Sequence, residues 1–287
     1  MPGEADLIVL GVPAPPKKDD EEDAKDEEEE TVELEGVVKT VDDTLNGALS
    51  DVLTENLKGF FGKAGSMTPT LRMPSPKQRF VVMGTGGEDD LEGIGFTLGK
   101  AVASKLMEEK KVGSVQVVLP STVKDGISNF ATALYQTLHV DNRFRTGKNV
   151  KKVAEDLESI ELFVDGAEDP DAIETGKNIA SGVLLAKDIV NAPHNVLNSL
   201  SLADTAQKIA DASPCMEIEI LDKDECEKAG MGAFLGVARG SETEPKFIHL
   251  TYKPADGKVN QKVGVIGKGL LFDTGGYNIK TQMMQLM

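Results

Sequence analysis

The sequence predicts an α/β protein: an N-terminal α/β domain with a mainly parallel sheet, a linker helix, and part of a second α/β domain. Three observations carry this. Strand-like and helix-like segments alternate from Arg79 to Val164, the order that puts strands into one parallel sheet and helices on its faces. The run RFVVM, Arg79 to Met83, is apolar throughout, as a strand buried on both faces is. The chain has 287 residues, enough for one large domain or two ordinary ones.

The elements follow in order. Leu7 to Val12 reads as a short buried strand. The segment KKDDEEDAKDEEEE, residues 17–30, holds ten acids against three lysines. Like charges repel and nothing apolar is present to bury, so a disordered acidic insert is expected. Thr31 to Val38 reads as a strand, and Asp42 to Leu53 as a helix with Leu45, Leu49, Val52 and Leu53 on one stripe. A turn at Phe60 to Gly62 and an extended stretch from Thr68 to Met73 precede the strand at Arg79.

That strand breaks at Gly84-Thr85-Gly86-Gly87 and a helix follows from Leu91 to Lys111. The layout resembles a dinucleotide-binding turn, but Asp89 stands where the third glycine belongs. Glu88, Asp89 and Asp90 would also repel a pyrophosphate, so the expected role is a plain strand-to-helix turn with acids at the positive helix end. Strand (Val115 to Leu119), helix (Gly126 to Thr137) and strand (Ile160 to Val164) complete the first domain, 1–168.

The acidic stretch Asp165 to Asp171, with Pro170, marks a boundary. A linker helix over 169–190 carries Ile179, Val183, Leu184 and Ala186 on one face. It must stop at Asn191-Ala192-Pro193, because the residue before proline avoids helical angles. In the second domain, 191–287, helices are expected at Leu200 to Ala212 and Asp224 to Gly230. Strands are expected at Met216 to Leu221, Phe247 to Tyr252 and Val263 to Ile266.

Composition excludes several classes. Formal net charge is −17, from 48 acids and 31 bases, a sign that repels phosphate backbones. Lys148, Lys151 and Lys152 cluster, but Glu155, Asp156 and Glu158 follow them. Three tyrosines and no tryptophan argue against a base-stacking surface. Nucleic acid is therefore not an expected partner, and no apolar run is long enough for a membrane span. The N-terminus lacks a secretory or organelle-targeting pattern, and Cys215 and Cys226 are too few for a disulfide framework. A cytoplasmic location is the expectation. His139, His194 and His249 have no partners at ligand spacing and read as packing or surface residues; Arg239 reads as a surface loop charge or a subunit contact.

The most informative stretch is GKGLLFDTGGYNIK, Gly267 to Lys280. Glycines on both sides of Lys268 let the backbone bend and another object approach closely. Asp273 precedes a second glycine turn, so both polar groups could serve one place at the carboxyl end of the preceding strand. The spacing is wrong for a phosphate loop, which needs Ser or Thr where Gly269 stands. Three readings stay open from the residues alone: a metal site, a glycine-rich structural turn with a surface salt bridge, or another ligand site. Aspartate is a good hard ligand. A lysine ligates only as the neutral amine, which an adjacent dication favours.

This stretch resembles the start of the metal-binding signature of the leucyl aminopeptidase (cytosol aminopeptidase) family of two-metal exopeptidases. The match falls on Gly267-Lys268-Gly269, on Phe272-Asp273-Thr274-Gly275-Gly276 and on Tyr277-Asn278-Ile279-Lys280. Upstream, Lys187-Asp188-Ile189-Val190-Asn191-Ala192-Pro193 is similar to the family's entry to its catalytic domain, and Gly230 to Ala238 with Gly240-Ser241 to another family segment. The acidic insert is a departure.

The resemblance implies release of N-terminal residues, such as leucine, from peptides. Two divalent ions (zinc, manganese or magnesium) would be held by Lys268 and Asp273, with Asp273 bridging them. Lys280 would be the catalytic and substrate-binding cation, and Met287 would line the pocket for the substrate's first side chain. A bicarbonate base and a homo-hexamer are implied for the full-length enzyme. The family's remaining acidic ligands lie further along than Met287, so the expectation is a catalytic domain cut short and a chain inactive alone. The competing expectation is a truncated, non-catalytic homologue that serves as a binding or assembly subunit.

Overall fold

The computed structural model describes residues 5–14, 34, 36–56 (of Val52, the backbone), 63–72, 78–87, 93–273, 275 and 277–280. The acidic insert, the Phe60 to Gly62 turn, Glu88 to Asp90 and Met287 lie outside the described residues. Two compact units divide between Ala186 and Lys187.

The first unit is a five-stranded sheet. Its strands are β1 (Leu7–Val12), β2 (Leu71–Arg72), β3 (Arg79–Gly84), β4 (Ser114–Leu119) and β5 (Ser159–Val164), in the order β2-β3-β1-β4-β5. All pairings are parallel except the short antiparallel edge β2–β3. Leu7 lies opposite Arg79 on one side and Val115 on the other, which sets the register of the centre.

Parallel strands joined by helical crossovers are covered on both faces, so their alternating side chains all find apolar neighbours. Leu7, Val9, Val81, Met83, Val117 and Leu119 face α3 (Ile94–Glu108) and α4 (Ile127–Leu138), meeting Leu98, Val102, Phe130 and Leu134. Ile8, Leu10, Val12, Phe80 and Val82 face α1 (Gly36–Thr44) and α2 (Ala48–Asn56), meeting Val38, Val41, Leu49 and Leu53. Each such buried side chain contributes about 1.5–3 kcal/mol of transfer free energy.

On the α3–α4 face the helices touch backbone to backbone. A Cβ on Gly95 would lie 2.1 Å from the Gly126 carbonyl oxygen, and one on Gly99 2.2 Å from that of Phe130. The helix α5 (Pro170–Asn191) approaches α4 in the same way, with a Gly176 Cβ 2.3 Å from the Ser128 oxygen. The Thr132 hydroxyl, 2.8 Å from the Ser128 carbonyl and 3.1 Å from that of Gly176, shares its proton between the two helices.

Four expectations are corrected here. Gly36 to Val38 belong to a helix, not to a strand. Where one helix was expected over Asp42 to Leu53 there are two, α1 and α2. Asn46 and Gly47 between them take left-handed angles (φ 55° and 82°) that no α-helix contains. The buried face of α5 is Gly176 and Ala180, whereas Ile179 is half exposed; close approach to α4 selects small residues over large ones. Val263 to Ile266 makes no ladder, and Val265 and Ile266 are 94% and 97% exposed. A strand needs a neighbour for its backbone groups, and among the described residues none lies beside this run. In addition α3 starts at Ile94 with no acid in its first turn and no side-chain cap.

Asp6 ties the N-terminal ends of β1 and β4 together. Its Oδ2 accepts from the N–H of Gly113 at 2.8 Å and of Ser114 at 3.0 Å. These bonds, that of Ser114 first, hold its carboxyl below the ordinary value of 3.8. A lowered folded pKa stabilises above the unfolded value and is lost as pH falls through the folded one. Asp6→Asn is therefore expected to lower Tm at neutral pH. The gap to the parent protein should close below about pH 4, as read by thermal unfolding across a pH series.

Candidate metal site

The second unit begins inside α5. Its helix α6 (Ser199–Asp211) starts at a full capping box: Asn198 Oδ1 accepts from the N–H of Leu200 and of Ser201, each at 3.0 Å, and Ser201 Oγ accepts from Asn198 N–H at 2.9 Å. The strands β6 (Met216–Leu221) and β7 (Phe247–Tyr252) form an antiparallel pair, with Ile218 opposite Leu250. Between them stand the short helices α7 (Lys223–Lys228), with a capping box from Asp222 and Glu225, and α8 (Gly232–Ala238). No helical period marks α8 in the sequence, because a seven-residue apolar run with two glycines has no resolvable period. On the polar face of the hairpin, His249 Nδ1 lies 3.5 Å from Glu219 Oε2, and Lys253 pairs with Glu217 at 2.5 Å.

The chain then turns at Pro254–Gly257, where the Gly257 N–H donates to the Pro254 carbonyl at 3.0 Å, and leads on to the glycine-rich stretch. Lys268 is exposed, next to Gly269 in a left-handed conformation (φ 66°). Phe272 packs against the ring of His194, centroids 4.9 Å apart and tilted by 30°, so the Asn-Ala-Pro-His turn lies beside the residue before Asp273. Asp273 is half-buried and closes the next turn on itself, its Oδ1 accepting from Gly275 N–H at 2.7 Å. Gly275 has φ 87°, and a Cβ there would lie 2.0 Å from the Asn278 oxygen, so only glycine fits. Asn278 N–H donates to the Gly275 carbonyl at 3.0 Å and reverses the chain. The reversal returns Lys280, whose Nζ lies 2.7 Å from Asp273 Oδ2.

The Asp273 carboxyl is held below its ordinary value first by the hydrogen bond from Lys280 and next by the Gly275 N–H, with the charge of Lys268 adding to both. One carboxylate thus sits in the field of two cations. The structure joins Asp273 to Lys280 directly and leaves Lys268 to act on them by charge. The arrangement is a glycine turn closed by a salt bridge.

As a seat for two divalent ions the described residues do not fit. Among them no three His, Cys, Asp or Glu side chains converge on a point that could hold a metal ion. The single carboxylate available is already engaged by an ammonium and an amide. The stack of His194 on Phe272 was not legible in the sequence, since a histidine 78 positions upstream carries no spacing signal.

Comparison with known proteins places these features. The catalytic-domain profile of the cytosol aminopeptidase family matches residues 184–287, and its N-terminal-domain profile matches 18–148. A probable cytosol aminopeptidase of Microcystis aeruginosa is 38% identical over 253 residues, covering 87% of this chain and 50% of the relative. One from Rippkaea orientalis is 36% identical over 255 residues, covering 88% and 50%. A solved structure of a tomato leucine aminopeptidase mutant superposes with a TM-score of 0.76 at 29% identity, over 96% of this chain and 53% of that one. The bottromycin maturation enzyme BotP, solved in complex with Mn, shares the fold at a TM-score of 0.68 and 18% identity, over 99% and 53%. The chain spans about half the length of the curated relatives it matches. With both domain profiles in their expected order and the fold in agreement, the chain belongs to the cytosol aminopeptidase family.

Proposed function

We propose that this chain supplies part of the apparatus of a metal-dependent aminopeptidase, a hydrolase that releases N-terminal residues such as leucine from peptides in the cytoplasm. The observation that carries the reading is that Lys268, Asp273 and Lys280 all fall on the glycine-rich stretch within the residues matched by the family's catalytic-domain profile. In this reading Asp273 is the carboxylate shared by two divalent ions (zinc, manganese or magnesium) and Lys268 is a further ligand. Lys280 is the cation that faces the substrate carbonyl, and Met287 lines the pocket for the first side chain. Bicarbonate and a hexameric assembly belong to the whole enzyme.

Two protein donors are too few for two ions, each of which takes about four to six ligands. No hydrolytic step is therefore assigned to this chain by itself. With leucine p-nitroanilide and manganese it is expected to show no turnover above a protein-free blank. Joined to the C-terminal half of the Microcystis relative, it is expected to turn the substrate over, and Asp273→Asn in that chimera to abolish the activity. Turnover by the chain alone, or a chimera indifferent to Asp273→Asn, contradicts the reading.

A second reading, a non-catalytic binding or assembly subunit, is favoured by one observation: the carboxylate needed for metal is engaged by Lys280. Stable co-assembly with a longer family member, with a chimera that folds and stays inactive, is the result that would select it.

A further inference from the structure

The chain holds one Asn-Gly pair, Asn46-Gly47, and it stands at the corner between α1 and α2. Both residues take left-handed angles, φ 55° and 82°. Asn46 is exposed, and among the described residues its side-chain amide has no hydrogen-bond partner. Gly47 has no side chain to shield its backbone nitrogen, and nothing lies within 4 Å of where its Cβ would stand. An amide carbon open to water and an unshielded nitrogen next to it in the chain are the two partners of a self-cyclisation. Every other asparagine of the chain is followed by a residue with a side chain.

The fold engages that nitrogen. Gly47 N–H donates to the Asp42 carbonyl at 3.0 Å, and the Gly47 carbonyl accepts from Asp51 N–H at 3.0 Å. The Asp42 carboxylate holds the next turn by accepting from the N–H of Leu49 and of Ser50. Cyclisation is incompatible with this arrangement. In it the Gly47 nitrogen gives up its proton and attacks Asn46 Cγ; a C–N bond forms and the side-chain nitrogen leaves as ammonia. The resulting imide nitrogen carries no hydrogen, so it cannot donate to Asp42. Water then adds to one of the two imide carbonyls and opens the ring. The product is aspartate or, with one extra methylene in the backbone, isoaspartate. One water is consumed and one ammonia released, with no change in oxidation state.

We propose that Asn46 is a site of spontaneous deamidation, closed while the α1–α2 corner is folded and reactive when the corner opens. Local opening, which ordinarily reverses without trace, is thereby recorded as a permanent covalent change. The two products differ in consequence. Aspartate keeps the backbone length and tolerates the left-handed angle. Isoaspartate lengthens the turn and frees the Leu49 and Ser50 amides from Asp42.

The test incubates the full 287-residue chain at neutral pH. Asn46 is followed by peptide mapping, and isoaspartate is counted by enzymatic carboxyl methylation. The chain unfolded in guanidinium supplies the rate of the unprotected sequence. The folded chain is expected to deamidate at Asn46 at least about tenfold more slowly, the factor set by about 1.4 kcal/mol of local stability. Asp42→Ala should recover most of that factor, and Asp42→Asn, which keeps an acceptor for Leu49, less of it. In the purified isoaspartyl form the Leu49 and Ser50 amides should exchange faster than in the aspartyl form. A folded chain that deamidates at Asn46 as fast as the unfolded one overturns the proposal, a comparison that stands even if Asp42→Ala fails to fold. Both Asp42 variants reacting at the parent's rate, or an Asn46 that stays intact in guanidinium, overturns it as well.

Discussion

Gly99→Ala is expected to destabilise the first unit by about 3 kcal/mol, although alanine favours a helix over glycine by about 1 kcal/mol. The reason is steric. The new methyl carbon would lie 2.2 Å from the Phe130 carbonyl oxygen, and that oxygen is backbone within α4, so it cannot swing aside. Either the helices separate, opening space between Leu98, Val102 and Phe130, or α4 distorts; both sacrifice close packing. Gly182→Ala in α5 is the matched control, because nothing lies within 4 Å of its added Cβ. It should gain about 0.5–1 kcal/mol from helix propensity alone. Native-state hydrogen exchange of the α3 and α4 amides reads the first unit separately from the second. Equal effects of the two substitutions would refute the backbone-contact account.

Asp42→Ala carries the other large expected effect. Asp42 sits at the end of α1 with its side chain buried, 6% exposed, yet it serves α2. Its Oδ1 accepts from the N–H of Leu49 at 2.8 Å and of Ser50 at 3.2 Å, and Oδ2 accepts from the Ser50 hydroxyl. One carboxylate therefore caps the first turn of the next helix and fixes the angle between the two across the left-handed Asn46-Gly47 turn. Alanine would remove a cap, worth about 1 kcal/mol, and leave the buried Leu49 amide unpaired, at about 1–3 kcal/mol. A total loss of about 2–4 kcal/mol is expected. Asp42→Asn should lose less, because an amide oxygen can still accept from Leu49. Loss of exchange protection at Leu49 and Ser50 ahead of the rest of the unit is the confirming pattern. A global loss without that local signature would point to packing instead.

These two sites also show what could be read from residues and what could not. Leu7 to Val12 was legible because a buried parallel strand is an unbroken apolar run, and Met216 to Leu221 because its apolar residues alternate with glutamates; both are found where they were expected. The break at Asn46-Gly47 was present in the sequence, but the stripe Leu45, Leu49 and Leu53 continues across it at helical spacing. All three are indeed buried in one core, Leu45 from the turn and Leu49 and Leu53 from α2. Periodicity reported the shared core correctly and hid the turn. On α5 the large residues drew the eye, whereas helix contact is made by Gly176 and Ala180. A backbone-to-backbone approach leaves its mark only as small residues four apart, as at Gly95 and Gly99.

At the candidate site, Lys268, Asp273 and Lys280 were all singled out from the chain. Family resemblance gave them roles, and the glycines around them a reason to bend. A glycine turn with a salt bridge was one of the open readings, but that Asp273 pairs with Lys280 could not be read, because it depends on the reversal made at Gly275 and Asn278. The run Val263 to Ile266 illustrates the opposite case. Its apolar residues predict a strand, and a strand forms only where a neighbouring backbone is offered.

In the proposed function Asp273 ligates a divalent cation only when the C-terminal half of a longer relative supplies the other ligands. The most direct measurement is a crystal structure of the chimera with the C-terminal half of the Microcystis relative, soaked in millimolar manganese, with an anomalous difference map calculated at the metal's absorption edge. A peak bonded to the Asp273 carboxylate is the predicted result. A map with manganese bound elsewhere, and the 2.7 Å contact between Lys280 and Asp273 intact, would contradict it.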